Sequence, residues 1–184
     1  MPAKISPGCA PHAKRNWQKR RKRSADVPRI AETRHLAWSP EQMFDLVADV
    51  KRYPEFLPWV VATRVKSDDG SAMIADMMVG FNALHEKFTS RVTKQRPGAI
   101  TVEYLDGPMK SLSNTWAFAP DDNGGCRIDF VCEFSFRNAL FERLAGQYLD
   151  RAFRKMVGAF ETRAARLYGQ DPGGSSSPSA TSAA

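Results

Sequence analysis

Histidine, cysteine and paired carboxylates are the side chains that most often do chemistry, and in this chain they are scattered. His12, His35 and His85 stand alone, and neither a CxxC nor an HExxH spacing occurs, so a zinc ion has no ligand set. Cys9 lies in a basic N-terminal stretch, while Cys126 and Cys132 fall in one predicted strand. Their separation along a strand is about 20 Å, far beyond the roughly 7 Å between Cα atoms that a disulfide tolerates. This usage fits a reducing compartment. No Ser-His-Asp order, acid–base pair or glycine-rich phosphate loop stands out. Glu86 and Arg91 share a predicted strand with Lys87, where solvated or cross-strand ion pairs are the ordinary outcome. What recurs instead is large apolar side chains at regular spacing, and the chemistry they offer is shelter from water.

The chain has 184 residues, of which 42% are apolar and 26% charged, enough for one packed domain with tails. No apolar run approaches the roughly 18–20 residues of a membrane-crossing helix, which argues against an integral membrane protein. The formal charge of +7 is unevenly placed: residues 1–25 hold eight basic side chains and no acidic one. The remainder has 19 basic against 20 acidic groups, so the folded part has no net-positive charge of its own. Residues 1–28, with Pro2, Pro7, Pro11, Pro28 and the run Lys19 to Arg23, read as a disordered basic extension. Three readings of it stay open: a true extension, a mitochondrial presequence whose helix the prolines oppose, or a misplaced start before Val27. Residues 169–184, rich in Gly, Ser, Pro and Ala, read as a flexible tail.

The working domain is therefore 29–168. Arg29 to Ala37 is a predicted strand, and Ser39-Pro40-Glu41-Gln42 is a helix start with a capping serine and proline in the first turn. Met43, Phe44, Leu46, Val47 and Val50 follow at helical spacing. Pro54 and Pro58 keep this helix short and leave room for one more helical turn near 54–57. Alternating segments come next. The clearest sets Cys126, Ile128, Phe130, Cys132, Phe134 and Phe136 against Arg127, Asp129, Glu133, Ser135 and Arg137, broken only by Val131. Turn signals at Asp68-Asp-Gly70, Arg96-Pro-Gly98, Asp106-Gly-Pro108 and Asp121 to Gly125 punctuate an antiparallel meander with strands near 59–67, 72–81, 84–95, 99–105, 111–119 and 126–136. A long amphipathic helix over 138–168 closes the chain, its apolar face from Leu140 to Leu167 demanding a partner as large as a sheet. The expected class is α+β: a curved antiparallel sheet wrapped around a long C-terminal helix, with two short helices after strand 1.

That layout is similar to the helix-grip, START-like fold. Tyr53-Pro-Glu-Phe-Leu-Pro-Trp59, Val79-Gly-Phe81 with Glu86 to Val92, Leu105 to Leu112 leading to Asn114-Thr-Trp116-Ala-Phe118, and the strand ending at Phe136 sharpen the match. In order and together they resemble the coenzyme Q-binding, polyketide-cyclase-like START family, which includes bacterial ribosome association toxins. The resemblance spans about residues 29–168; the basic extension departs from it. It implies a hydrophobic cavity between sheet and long helix, fit for a quinone with an isoprenoid tail. Inward candidates for binding are Trp59, Phe81, Leu84, Phe88, Trp116, Phe118, Phe130, Phe134, Leu144, Tyr148, Phe153 and Met156. Tyr148, Trp116, Asn114 or a backbone N–H could meet the quinone carbonyls, and the residues do not choose among them. Each aromatic or methionine is equally well explained as core filling, and Trp59 as a pin between the short helices and the sheet.

Three functions compete at this point. The leading expectation is a non-catalytic protein, needing no cofactor, that carries or chaperones ubiquinone for respiratory electron transport or quinone biosynthesis. Burial at about 0.8 kcal/mol per methylene makes micromolar binding attainable from a few isoprene units. The second is a cyclase or dehydratase-type enzyme with a pocket Tyr, His or Glu as acid or base, Tyr148 and His85 being the residues to test. The third is a ribosome-binding, toxin-like module, which the domain's own charge of −1 makes less attractive. A carrier is expected in the cytoplasm, peripheral to the inner membrane, or alternatively in the mitochondrial matrix, with transient contact at a membrane surface that the basic extension could assist. The residues carry no signal of oligomeric state.

Overall fold

The computed structural model describes residues 29–81, 84–122, 124–137 and 139–169; for Phe81, Leu84 and residues 139–150 it describes the backbone only. The expected basic extension at 1–28 and nearly all of the expected tail lie outside the described residues.

Strand β1 (Arg29–Leu36) leads to Ser39, whose Oγ accepts from the Gln42 backbone N–H at 3.3 Å while Gln42 Oε1 accepts from the Ser39 N–H at 2.8 Å. This reciprocal cap, with Pro40 in the first turn, starts α1 (Pro40–Ala48) and turns Met43, Phe44, Leu46 and Val47 into a buried face. A 3-10 turn at Val50–Arg52 and the one-turn helix α2 (Tyr53–Phe56) follow. Pro54 is tolerated because it stands in the first turn, where its missing N–H costs nothing. Tyr53 donates its hydroxyl to the Val47 carbonyl at 2.6 Å and so locks α2 onto α1. Burial pushes its phenol well above the usual tyrosine range.

The remaining elements are β2 (Val60–Asp68), β3 (Ala72–Phe81), β4 (Leu84–Gln95), β5 (Ala99–Asp106), β6 (Met109–Pro120), β7 (Cys126–Phe136) and α3 (Ala139–Tyr168). The architecture is the expected α+β one. A seven-stranded, wholly antiparallel sheet has the order β1-β7-β6-β5-β4-β3-β2, so the meander runs outward from β7 and the first strand returns to its flank. Register shifts in the β2–β3, β4–β5 and β6–β7 pairs bend the strands. Two glycines are required by close approach. A Cβ on Gly125 would collide with the Leu36 carbonyl oxygen, and Gly107, at φ +136°, packs against Phe88.

The strand alternation read from the sequence sorts side chains as expected. Cys126, Ile128, Phe130 and Phe134 are buried on the inner face, while Val131, the exception, faces outward between Ala31 and Thr115. Helix α3 lies over the inner face, with Phe160 and Ala164 buried in the core. Its C-terminal half is bolted to the short helices. Tyr168 donates to the Gln42 carbonyl at 3.1 Å, Trp38 Nε1 to the Gly169 carbonyl at 3.1 Å, and Arg163 to Glu55 at 3.0 Å while lying over the Phe56 ring.

The outer face holds one feature that the sequence conceals. Asp76 is 6% exposed, and its Oδ1 accepts from Lys66 Nζ at 2.7 Å and from the Thr89 hydroxyl at 2.6 Å, while Oδ2 accepts from Lys87 Nζ at 3.1 Å. The hydrogen bond from Lys66 and then that from Thr89 hold the carboxyl well below the usual aspartate range. A carboxylate depressed in the folded state stabilises the fold fully above its unfolded pKa, near 3.9, and the contribution is lost as the pH falls through the lower folded value. Asp76→Asn should therefore lower the melting temperature at pH 7, and the gap to wild type should begin to narrow below about pH 4 and keep narrowing as the pH falls further. Melting curves that stay parallel over that range would show that the two lysines add nothing to the folded state.

Candidate functional site

Sheet and long helix do not close completely over each other. Between β1, α1, the β6–β7 part of the sheet and α3 runs a cleft floored by Met43, Val47, Trp116, Ile128 and Phe130 and roofed by Phe153, Val157 and Phe160. Each element supplies its residues through its own period: alternate positions of the strands and one stripe of α3. The aromatic rings interlock. Trp116 lies 4.4 Å from Phe130 and 5.5 Å from Phe160 between centroids, and Phe130 stacks on Phe153 at 5.4 Å and 19°.

The rim is charged. Glu32 and Arg34 project from the inner face of β1, in register with Phe130 and Ile128, and Arg34 donates to Glu161 on α3 at 2.7 Å. That bond raises the guanidinium further above its ordinary value. With Arg34 and Glu161 side chains 43% and 32% exposed, this pair latches the seam at a strength of only about 0–1 kcal/mol, so it yields readily.

The free volume of the cleft is about 40 Å³, against the roughly 300–1,000 Å³ of pockets that enclose small organic ligands. The expectation of a void large enough for a prenylated ring is not met at this cleft, because Trp116, Phe130, Phe153 and Phe160 fill it with their own rings. Occupancy requires α3 and the β1 edge to part. The weak, exposed Arg34–Glu161 latch and the apolar side chains of floor and roof are suited to that motion.

The candidates named from the sequence separate into groups. Trp116, Phe130 and Phe153 meet at the cleft. Phe118 and Phe134 are buried in the core, Phe118 edge-on to Phe44 at 5.7 Å and Phe134 beside Phe136 at 5.8 Å. Trp59 and Met156 are partly buried against the core, and Phe88 is half-buried on β4. The side chains of Phe81, Leu84, Leu144 and Tyr148 lie outside the described residues. His35 is paired with Asp121 at 3.1 Å on the surface, His85 is exposed, and Arg91 faces Glu103 across strands at 3.7 Å. Sequence reasoning missed Met43, Val47, Ile128, Val157, Phe160 and the rim trio Glu32, Arg34 and Glu161. The signal for the rim was present in β1, where Glu32 and Arg34 share a face with Ile30 and Leu36.

Among the described residues, no group of three or more His, Cys, Asp or Glu side chains could hold a metal ion. Burial pushes the Cys126 and Cys132 thiols up to about 11, so neither is a ready thiolate at neutral pH. No helix among the described residues is long and apolar enough to cross a membrane.

Comparison with known proteins fixes the family. The model of the polyketide cyclase / dehydrase and lipid transport family matches residues 36–161, covering β1's last residue through most of α3. The chain belongs to this family. Within it, the ribosome association toxin RatA of Rickettsia prowazekii is 35% identical over 136 residues, 72% of this chain and 92% of the toxin. The mitochondrial coenzyme Q-binding protein COQ10 homolog B of Xenopus laevis is 33% identical over 144 residues, 76% of this chain and 59% of that protein. An 18 kDa protein of Caulobacter crescentus, solved in solution, is 38% identical and superposes with a TM-score of 0.65 over 78% of this chain and 99% of its own. The two sequence relatives are named for association or binding, not for a reaction. Family membership and the apolar cleft together support a role in binding a hydrophobic ligand.

Proposed function

We propose that the protein binds ubiquinone, or a closely related prenylated ring, and carries or chaperones it without transforming it. The observation that carries this reading is the cleft between sheet and long helix, apolar throughout its floor and roof and charged only at the rim. Affinity then comes from burial of the prenyl tail, at about 0.8 kcal/mol per methylene. The similarity to a protein named for coenzyme Q binding agrees with it. The carrier works in the cytoplasm beside the inner membrane, where its ligand resides. Protein purified from its own cells should yield a prenylquinone on solvent extraction and mass spectrometry. Added short-chain ubiquinone should quench tryptophan fluorescence with an apparent Kd near 1 μM, about −8.2 kcal/mol. An empty protein that also leaves the fluorescence unchanged would defeat the reading.

A second reading, association with the ribosome, is favoured by a different observation. The RatA toxins match over nearly their whole length, and the outer face of β2, β3 and β4 exposes Arg64, Lys66, Lys87 and Arg91 around the single buried Asp76. Such a patch suits a phosphate backbone despite the domain's ordinary net charge. Overexpression should then deplete assembled ribosomes in a polysome profile, and reversing Arg64 and Arg91, which do not hold Asp76, should restore them; an unaltered profile on overexpression would dispose of this reading.

A further inference from the structure

Three buried polar side-chain atoms among the described residues have no hydrogen-bond partner: Tyr104 OH, Asn114 Oδ1 and Arg163 Nε. The last belongs to a guanidinium already bonded to Glu55 through another nitrogen. The other two share one surface. Asn114 stands opposite Val102 on β5 and Cys132 on β7, and Tyr104, two residues beyond Val102, stands opposite Ser90 on β4. They are therefore diagonal neighbours on the inner face of the sheet, a pair that long side chains can bridge. Two residues along β6 from Asn114, on the same face, is Trp116 on the floor of the cleft.

A buried polar atom without a partner destabilises the fold, and proteins rarely keep one without use. Two of them on one face of the sheet, diagonal across the β5–β6 pair and one same-face step from Trp116 on the cleft's floor, make an unfilled hydrogen-bonding station. A phenol hydroxyl both donates and accepts, whereas Oδ1 only accepts. A quinone carbonyl can answer the tyrosine but has nothing to give the asparagine oxygen. A ring hydroxyl answers both, donating to Asn114 and accepting from Tyr104. We propose that Tyr104 and Asn114 form a head-group subsite beyond the Trp116 end of the cleft and that it selects a hydroxylated aromatic ring, a hydroquinone or phenol, over the corresponding quinone. This rests on the reading of the protein as a carrier of a prenylated ring and names the form it carries.

The test is titration of the full chain with a one-isoprene ubiquinone, oxidised in air and reduced under argon. Wild type should bind the reduced form about fivefold more tightly. Asn114→Leu should abolish that preference by weakening the reduced form alone, and Tyr104→Phe should weaken both forms. Because each substitution removes an orphaned polar atom, the ligand-free variants should melt about 2–4 °C higher than wild type, which a merely structural role for these groups would reverse. Equal affinity for the two forms in wild type, or a preference that survives in Asn114→Leu, would overturn the subsite while leaving the carrier reading intact. No binding of either form to wild type would overturn both. The wild-type comparison needs no variant, so the proposal stays falsifiable should a substitution prevent folding.

Discussion

Phe160→Ala should cost about 3–5 kcal/mol of unfolding free energy, the range for truncating a buried aromatic. Phe160 is 5% exposed and joins three parts of the molecule. Its ring meets Tyr53 at 5.5 Å and Phe56 at 5.2 Å on one side and Trp116 at 5.5 Å on the other. It therefore holds α3 against α2 and the sheet at once. The space left by an alanine would merge with the cleft, and the bolted C-terminal half of α3 limits how far the walls can collapse into it. Urea unfolding followed by circular dichroism measures the loss as a lower midpoint at unchanged slope. A loss under about 1 kcal/mol would mean that the hydrogen bonds of Trp38, Arg163 and Tyr168 fix the helix with little help from the Phe160 ring.

Val157→Phe addresses the cleft itself and should weaken binding of a prenylated ring by about thirtyfold or more, near 2 kcal/mol. Val157 is half-buried in the roof, facing a free volume of about 40 Å³. The added ring would occupy that space and oppose the parting of α3 from the β1 edge on which ligand uptake depends. Because it fills an existing gap, its effect on stability should stay near the lower end of the about 1–3 kcal/mol that overpacking costs in a solid core. Fluorescence titration beside a thermal melt separates the two effects. Unchanged affinity in a folded variant would place the ligand elsewhere in the molecule.

Local rules were sufficient for much of the architecture. The Ser39–Gln42 cap formed as its spacing dictates, and the alternation from Cys126 to Phe136 sorted one face inward. The strand boundaries follow the Gly, Asp and Pro turns to within two residues, because turn chemistry and period-2 patterning act over a few neighbouring positions. The cleft was legible only in part. Trp116, Phe130 and Phe153 could be placed inward, but nothing in their spacing distinguishes a residue that lines a gap from one, like Phe118, that is packed solid against Phe44. Parity reports a face; it does not report how completely the opposite face covers it.

The amino-acid order alone determined the elements, their order and the apolar character of the space between sheet and helix, since capping, turn geometry and side-chain periodicity are read within a few residues. Tertiary structure decided where that space stays open, which charges guard it and which polar atoms on the sheet's inner face, among the described residues, lack partners. Arg34 and Glu161 are 127 residues apart in the chain, and the Asp76 carboxylate finds its lysines on two neighbouring strands. Such meetings follow from strand register and from the angle at which α3 settles, both set by packing over the whole inner face.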